Sequence, residues 1–415
     1  MTYEMMNRET ISCGPPQHNA KEAYSIMKVT GIIAECNPLH EGHRYLINEA
    51  RRLTEADYIV VALSGDYVQR GAPAILSREI RTGALLDAGA DLVVELPLYA
   101  ACSGADYFAR GAVALMESLG VVTDLAFGSE SGDLAALSAA ASALSEESGE
   151  FRRSLQEGLR EGLSYPRARA SAMAQADLPS TPNDLLGTEY LRALMKGTGA
   201  IRPLAIERTA CRSASEIRGE MISTRQNSDS ALCRNDFSDL LLHALYSAGS
   251  ADDLAGFLDV SGDLAGRILN ELPRFMSYSQ FCEAVKTRNY TYTRISRALL
   301  HILLGMKSET MEMFDRKYGL CGWIRPMGFR RSAAPLIREI TSSCKVPYLD
   351  KLSRAGDILP ADLYAVLCEE IRAEFLYDLM AARRTGLYGT EKGPAAGVSN
   401  AFSKPLIMRS QEQDR

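Results

Sequence analysis

The sequence predicts an α/β fold in which a Rossmann-like, doubly wound parallel sheet is followed by a mostly α-helical C-terminal domain. Between residues 29 and 131, short apolar runs alternate with segments of helical periodicity. Strands that alternate with crossover helices form a parallel sheet covered on both faces. The apolar runs are Val29–Ala34, Tyr58–Leu63, Leu92–Leu96 and Leu125–Phe127, and the helical segments are Arg44–Glu55, Arg78–Ala88 and Asp106–Ser118.

The rest of the chain is predicted to be largely helical. Residues 133–176 are rich in helix formers, Leu185–Met195 follows a Pro-Asn-Asp turn, and the pattern beyond Phe237 is helical almost to Arg383. The apolar run Ile201–Ile206 fits a late strand of the sheet. Because 415 residues exceed the size at which one core keeps growing, at least two domains are expected. We predict a flexible extension at 1–27, an α/β domain at 28–222, a helical domain at 235–384 and a flexible tail at 385–415.

The composition is typical of a soluble globular protein and argues against several classes. Hydrophobic residues make up 46% of the chain, yet no window approaches the roughly 20 apolar residues of a membrane helix. Residues 1–27 lack the apolar segment of a signal peptide. Nine cysteines occur singly, without a CxxC pair or metal-ligand spacing, which favours reduced thiols over disulfides or structural zinc. We therefore expect a cytoplasmic protein without a membrane partner.

The junction after the first predicted strand carries the strongest functional signal. The apolar run ends at Asn37-Pro38, and the tetrad His40-Glu41-Gly42-His43 precedes the helical segment. The start of a helix offers backbone N–H groups and a positive dipole end, and imidazoles donate hydrogen bonds to phosphate oxygens. Two of the chain's five histidines lie here. The pattern predicts a nucleotide triphosphate site; the alternative is a polar helix cap beside a core histidine.

Three loops are predicted to lie at the same edge of the sheet. Asn37–His43, Ser64–Gly71 and Gly128–Gly132 each follow a predicted strand, and ligands of doubly wound sheets bind outside the carboxyl ends of the strands. In the second loop, Arg70 is the candidate for stabilising ligand charge, whereas Asp66 and Gln69 fit an ordinary connection.

A serine-rich segment, Ser213–Arg218, has two interpretations. It is either a segment that closes over a triphosphate or a helix start, because Ser213 is followed three positions later by Glu216.

A basic segment lies in the predicted helical domain although the whole chain has a net charge of −6. Residues 286–331 contain ten basic and three acidic residues, which makes this segment +7 and the remainder −13. Basic side chains alternate with tyrosines at its start, a combination that suits single-stranded RNA. The alternative is an amphipathic helix with its aromatic rings in the core. The predicted RNA-binding residues are Lys286, Arg288, Tyr290, Arg294 and Arg297.

Eight segments in collinear order carry a family resemblance. They are Gly31–His43, Ser64–Gly71, Ala90–Pro97, Phe127–Glu130, Pro182–Gly187, Ile206–Arg208, Lys286–Arg294 and Trp323–Phe329. Together they closely resemble the tRNA(Met) cytidine acetate ligases, a family of HIGH-type nucleotidyltransferases, over roughly residues 29–375. Cys36 stands where this family usually has Tyr, and Leu39 where Phe is common. Asp66 replaces Asn or His, which would put a carboxylate near the site.

The resemblance implies an ATP-dependent ligase that activates acetate to acetyl-adenylate, releasing pyrophosphate. The acetyl group then passes to N4 of the wobble cytidine of elongator tRNA(Met). His40 and His43 would be catalytic by stabilising charge at the α-phosphate, so that catalysis is mainly positioning and electrostatics. ATP normally arrives with Mg²⁺, for which the sequence identifies no ligands. The implied ATP-binding residues are Ile33, Ala34, Glu35, Cys36, Asn37, Pro38, Leu39, His40, Glu41, Gly42, His43, Arg44, Tyr45, Leu46, Gly128, Asn183 and Arg208.

Two other functions remain as alternatives. One is a small-molecule nucleotidyltransferase whose helical part serves only oligomerisation, against which the basic segment argues. The other is a non-catalytic RNA- or nucleotide-binding protein on the same fold, against which the intact His40, Gly42 and His43 argue. The sequence does not predict an oligomeric state.

Overall fold

The structure, a computed structural model, describes residues 27–145, 149–161, 168, 181–225, 231–387 and 406–408. Its strands are β1 (Val29–Ala34), β2 (Tyr58–Ser64), β3 (Tyr67–Val68), β4 (Ala72–Pro73), β5 (Leu92–Leu96), β6 (Asp124–Ser129), β7 (Arg202–Glu207), β8 (Pro326–Arg330) and β9 (Leu406–Met408). Seven of them form one sheet in the order β7-β6-β1-β2-β5-β8-β9, and β3 and β4 form a small hairpin.

Helices make up most of the remaining described chain. They are α1 (Glu41–Thr54), α2 (Arg78–Asp87), α3 (Leu98–Ala101), α4 (Ala105–Ser118), α5 (Leu134–Ser145), α6 (Gly149–Arg160), α7 (Pro182–Lys196), α8 (Ala214–Thr224), α9 (Ser238–Ser247), α10 (Ala251–Ala255), α11 (Gly262–Glu271), α12 (Tyr278–Val285), α13 (Tyr292–Leu304), α14 (Ser308–Tyr318), α15 (Ala334–Ser343), α16 (Ala355–Ile358) and α17 (Ala361–Arg384). Short 3₁₀ turns lie at Arg234–Phe237, Leu272–Arg274, Arg331–Ala333 and Leu352–Arg354.

The predicted doubly wound parallel sheet is confirmed. The strands β1, β2, β5, β6 and β7 are parallel, with β1 between β2 and β6. Alternate residues of β1 enter two different cores. Val29 and Ile33 pack on the face that also holds Phe108 of α4, whereas Ile32 packs on the face that holds Ile47 of α1. From β1, the next strands β2 and β5 are added on one side, and the later strands β6 and β7 are added on the other side. This change in strand order between β1 and β6 is the switch point at which such folds bind ligands.

The C-terminal half differs from the prediction in one respect. Its helical pattern is interrupted by β8, which pairs antiparallel with β5. This strand begins with Pro326 and contains Gly328, so its five residues lack the apolar alternation that marks a strand. Three described residues of the predicted flexible tail form β9 beside β8. Residues 385–387 of the predicted tail are also described and follow the end of α17, whereas 388–405 and 409–415, and the predicted extension except Met27, lie outside the described residues.

The sheet and the helical region share a core. Phe108 beside the sheet and Phe237, Phe281 and Tyr377 of the helical region belong to one continuous cluster of buried side chains. The domain boundary between residues 222 and 235 therefore stays a prediction, because packing does not separate the two parts. Among the described residues, no helix is long and apolar enough to span a bilayer.

Candidate active site

A pocket opens at the switch point of the sheet. It has a volume of about 390 Å³, within the range typical of small-ligand sites. Its walls come from the ends of β1, β6 and β7, from the starts of α1, α4 and α7, and from the loop between β3 and β4. The three loops that were predicted to lie at one edge provide different numbers of pocket residues. Asn37–His43 and Ser64–Gly71 each provide more than one, whereas Gly128–Gly132 provides only Gly128 to the wall that the structure describes.

The histidine turn forms the start of α1. His40 is the N-cap, and its Nδ1 accepts from the Gly42 N–H at 3.0 Å. The Nδ1 of His43 accepts from the His40 N–H at 3.3 Å, and the two rings lie 4.0 Å apart. Both Nδ1 atoms are thus acceptors, so a neutral ring carries its proton on Nε2. The turn therefore supplies two N–H donors beside the helix start.

The environment keeps both rings neutral. Burial, reinforced by His40 and Arg208, lowers the pKa of His43 to about 3. The pKa of His40 is also lowered, first by burial and then by Arg208, although Glu41 acts in the opposite direction. The two histidines are therefore neutral hydrogen-bond donors at physiological pH, and Arg208 carries the positive charge at this end of the pocket.

Gly42 is required by this geometry. A Cβ at this position would lie 2.8 Å from Cε1 of His40 and 3.0 Å from Sγ of Cys211. Because a real Cβ essentially never comes this close, any side chain would displace the His40 ring. Gly42 thus makes room for the His40 ring.

The predicted ATP-binding segment divides into two groups. The pocket is lined by Ile33, Ala34, Glu35, His40, Gly42, His43, Tyr45 and Leu46. The others, Cys36, Asn37, Pro38, Leu39, Glu41 and Arg44, are not part of the wall that the structure describes. Cys36 is buried in the core beneath α1, with φ +44°, and Leu39 packs against the same core. The two positions that differ from the family pattern therefore face away from the ligand space.

The other three predicted ATP residues line the pocket together. Arg208 is exposed on the loop after β7, and Gly128 lies beneath it. Asn183 begins α7, and its side-chain NH₂ donates to Glu130 at 2.6 Å. This bond directs the amide oxygen of Asn183 to ligand donors, such as a ribose hydroxyl or an adenine amino group. Glu130 therefore orients the Asn183 side chain, a role that its position in the segment Phe127–Glu130 did not predict.

Asp66 does not lie near the nucleotide, contrary to the expectation that it would put a carboxylate beside the site. Its Oδ1 accepts from the Arg78 backbone N–H at 2.8 Å, and its Oδ2 lies 3.3 Å from Nη1 of Arg78. Asp66 lines a separate cavity of about 10 Å³. The chain turns inward after β2, so Asp66 anchors the start of α2, while Gln69 and Arg70 reach the large pocket.

A buried arginine that the sequence did not single out supports the pocket floor. Arg81 of α2 donates through Nη1 to the carbonyls of Glu35 and Ser64 at 2.8 and 2.9 Å, and through Nη2 to that of Gly65. These carbonyls stand at the carboxyl ends of β1 and β2. Arg81 thereby fixes the two loops that carry Glu35 and Arg70.

Ser213–Arg218 forms a helix start, which is one of its two interpretations, while closure over a triphosphate stays a prediction. Ser213 caps α8 by accepting from the Glu216 N–H, and Glu216 accepts in return from the Ser213 N–H. Arg218, one turn further, donates to the carbonyl of Asn37 in the histidine turn. The helix start is confirmed, and the same helix holds a cation against the pocket.

The predicted tRNA-binding residues lie on and before α13. Lys286 and Arg288 are exposed, and the Arg294 guanidinium lies 5.0 Å from the centre of the Tyr290 ring. Tyr290 packs against the core with its hydroxyl 2.9 Å from that of Ser261. Arg297 is mostly buried and pairs with Asp259 at 3.2 Å.

The helix α13 also contacts the pocket loop. The Ser296 hydroxyl donates to the carbonyl of Gly71 at 2.6 Å. Arg234 donates to that hydroxyl and to the carbonyls of Arg70 and Gly71. Gly71 has φ +68°, and a Cβ there would lie 2.3 Å from the Arg297 backbone nitrogen. The middle of α13 therefore packs against the loop that carries Arg70 into the pocket.

Much of the basic charge in residues 286–331 is not available to a polyanion. Arg325 is buried between Glu95 and Glu374, Arg330 donates to the carbonyl of Leu86, and Lys317 pairs with Asp362. The three buried acids Glu95, Glu370 and Glu374 lie close enough to hold a cation. Arg78 and Arg325 already neutralise part of this trio, and it lines the small second cavity. Its placement does not fit a Mg²⁺ ion carried by ATP.

Comparison with known proteins decides the family. The sequence matches the family described as HIGH Nucleotidyl Transferase over residues 27–387. The tRNA(Met) cytidine acetate ligase of Acetivibrio thermocellus is 36% identical over 371 residues, which cover 79% of this chain and 89% of the relative. This chain belongs to the tRNA(Met) cytidine acetate ligase family. Another family member, from Clostridium kluyveri, is 34% identical over 383 residues, which cover 82% of this chain and 93% of its own.

A solved structure extends this likeness to the fold. Thermotoga maritima TmcAL bound with alpha-thio ATP matches this protein with a TM-score of 0.82 at 27% identity, covering 92% of this chain and 100% of that one. The same protein without ligand has a TM-score of 0.83. The resemblance to the tRNA(Met) cytidine acetate ligases, and the nucleotidyltransferase fold predicted with it, are confirmed.

Proposed function

We propose that this protein uses ATP to activate acetate as acetyl-adenylate and transfers the acetyl group to N4 of the wobble cytidine of elongator tRNA(Met). The observation that carries the proposal is the pair of neutral histidines at the start of α1, beside Arg208 and in the pocket at the switch point. The names of the relatives supply the acceptor and the carboxylic acid, and the pocket supplies the nucleotide chemistry.

In the first step an oxygen of acetate attacks the α-phosphorus of ATP. A bond between acetate and phosphorus forms, the bond to the bridging oxygen breaks, and pyrophosphate leaves. The Nε2–H groups of His40 and His43 donate to the phosphate oxygens, and Arg208 balances their charge. Neutral imidazoles suit this role because they donate without a proton transfer. Mg²⁺ would arrive with the nucleotide as part of the substrate.

In the second step the acceptor base must reach the same pocket from the RNA. Wobble bases lie in a single-stranded loop, from which a base can be turned outward into an enzyme. Arg70 lines the pocket, and Arg218 and Arg234 lie close to it, because after burial both Arg70 and Arg234 contribute to lowering the pKa of Arg218. This concentration of positive charge supports an anionic strand at the rim.

The proposal is tested by incubating the protein with ATP, labelled acetate and elongator tRNA(Met), then digesting the RNA. We expect labelled N4-acetylcytidine, together with acetate-dependent exchange of pyrophosphate into ATP. A tRNA whose wobble cytidine is replaced by uridine is the matched substrate control. Pyrophosphate release that requires another metabolite and ignores tRNA would instead support a small-molecule nucleotidyltransferase.

A further inference from the structure

Glu35 stands out because it is a carboxylate in a pocket built for anions. It directly follows β1 and lines the large pocket. Its Oε1 accepts from the Gln69 N–H at 2.8 Å. Among the described residues, its Oε2 has no hydrogen-bond partner, and the exposed part of the side chain faces the pocket. This oxygen is therefore available to accept a hydrogen bond from a ligand in the pocket.

The alternation of β1 separates Glu35 from the histidines. Val29 and Ile33 project to the face covered by α4 and α7, and Glu35 continues this odd-numbered series. The electrostatic neighbours agree with this placement in two cases: Arg70 influences Glu35, and Arg208 influences His40 and His43. Arg218 lies between the two ends and influences both Glu35 and His40. The pocket thus has a phosphate end on the α1 side of the sheet and a second end on the α4 and α7 side.

The second end has a largely buried aromatic wall. Phe108 of α4 and Tyr190 of α7 line the pocket there, and the Tyr190 ring lies 5.7 Å from that of Phe127. Aromatic rings accept the face of an unstacked base. A carboxylate accepts hydrogen bonds from the exocyclic N4 amine of cytosine, whereas uracil presents an oxygen that it would repel.

We propose that Glu35 is the proton acceptor of the acyl-transfer step and binds the N4 amine of the acceptor cytosine. This inference rests on the proposed function. N4 attacks the carbonyl carbon of acetyl-adenylate, so that an N–C bond forms and the C–O bond to the adenylate breaks. AMP departs with the electron pair, and the proton that N4 loses passes to Oε2 of Glu35.

The surroundings of Glu35 favour a stronger base than an ordinary exposed carboxylate. Burial raises the pKa of Glu35, while the Gln69 N–H and the three nearby arginines oppose that rise. The titratable or charged groups that interact with it from the neighbouring elements are Arg70, Arg218, Arg81, Tyr190, Cys102 and Cys36.

Glu35→Gln separates the two halves of the reaction. Its amide oxygen keeps the bond from the Gln69 N–H, so the loop is retained, but the amide does not accept a proton. We expect acetate-dependent ATP–pyrophosphate exchange within about threefold of wild type. Single-turnover transfer from preformed acetyl-adenylate to tRNA should fall about 10² to 10⁴-fold, the usual contribution of a general base. Glu49→Gln, on the solvent side of α1, is the matched control and should leave both rates unchanged.

The conservative variant and the pH profile test the role rather than the fold. Glu35→Asp should recover part of the transfer rate and retain a loss of rate toward acid pH that Glu35→Gln lacks. Transfer by Glu35→Gln within tenfold of wild type would overturn the inference. A parallel loss of exchange would also overturn it, because Glu35 would then serve ATP or acetate. A wild-type protein without exchange and without N4-acetylcytidine would refute the proposed function and this inference together.

Discussion

The histidine turn and the basic segment are both predicted to bind anions, but their side chains are arranged very differently in the structure. In the turn, His40, Gly42 and His43 lie within four residues and reach one pocket. In the segment 286–331, the cations spread over a helix, a core and a strand, and Arg325 is buried between two glutamates. When the residues of a motif share one helix start, local backbone structure sets their geometry. When basic residues are spread over a segment of 46 residues, tertiary packing decides where each charge lies.

The largest expected effect concerns His43. His43→Ala removes a donor from the phosphate end, and removal of one preorganised donor typically costs about 10² to 10³ in rate. Acetate-dependent ATP–pyrophosphate exchange should fall by that factor, while tRNA affinity measured by filter binding stays within about twofold because the basic segment is untouched. His243→Ala, at an exposed position on α9, is the control. Exchange at the wild-type rate in His43→Ala would remove the distinction between the two regions.

Sequence reasoning succeeded where the signal was local. The strands Val29–Ala34 and Leu92–Leu96 were predicted with their observed bounds, because buried parallel strands are continuous apolar runs. It did not find Arg81, which crosses from α2 to two strand ends, or β8, which joins the sheet more than 200 residues after its neighbour β5. The expectation that Asp66 lies beside the site was wrong because its ion pair with Arg78 depends on how α2 packs into the core, which is a tertiary contact.

The pH dependence of stability provides the next test of the histidine turn. The folded-state pKa of His43 is about 3, below the value near 6.5 of an unfolded histidine, so the unfolded chain binds a proton first as pH falls. Above about pH 6.5, His43 therefore does not change the free energy of unfolding. As the pH falls toward 3, His43 lowers this free energy progressively, by about 2 kcal/mol at pH 5 relative to pH 7. His43→Gln should remove this part of the loss in urea unfolding at pH 7 and pH 5. An equal loss in wild type and variant would show that the ring is not held neutral.

Gly42→Ala should lower activity without lowering stability. The new methyl group meets the His40 ring and the Cys211 sulfur, while alanine favours helix over glycine by up to about 1 kcal/mol. We expect the KM for ATP to rise about tenfold, with a melting temperature equal to or above that of wild type. Gly266→Ala in α11, where a Cβ would meet open space, is the control that should stabilise without changing KM. Unchanged KM in Gly42→Ala would mean that the His40 ring position does not matter for nucleotide binding.

The smallest effects are expected in the basic segment, where two arginines one turn apart should behave differently. Arg294 lies over the Tyr290 ring at the surface, so Arg294→Ala should weaken tRNA binding a few-fold and reduce the slope of log K against log salt by about 1. Arg297 pairs with Asp259 beside the buried His301, so Arg297→Ala should instead lower the free energy of unfolding by about 1 to 3 kcal/mol.

If both variants reduce the salt slope equally, Arg297 leaves its partner for RNA, and the sequence-based view of the segment as one RNA-binding face is restored. If neither changes tRNA affinity at any salt concentration, the neighbouring arginines Arg70, Arg218 and Arg234 become the electrostatic contact, because Arg70 lines the pocket that the acceptor base must enter.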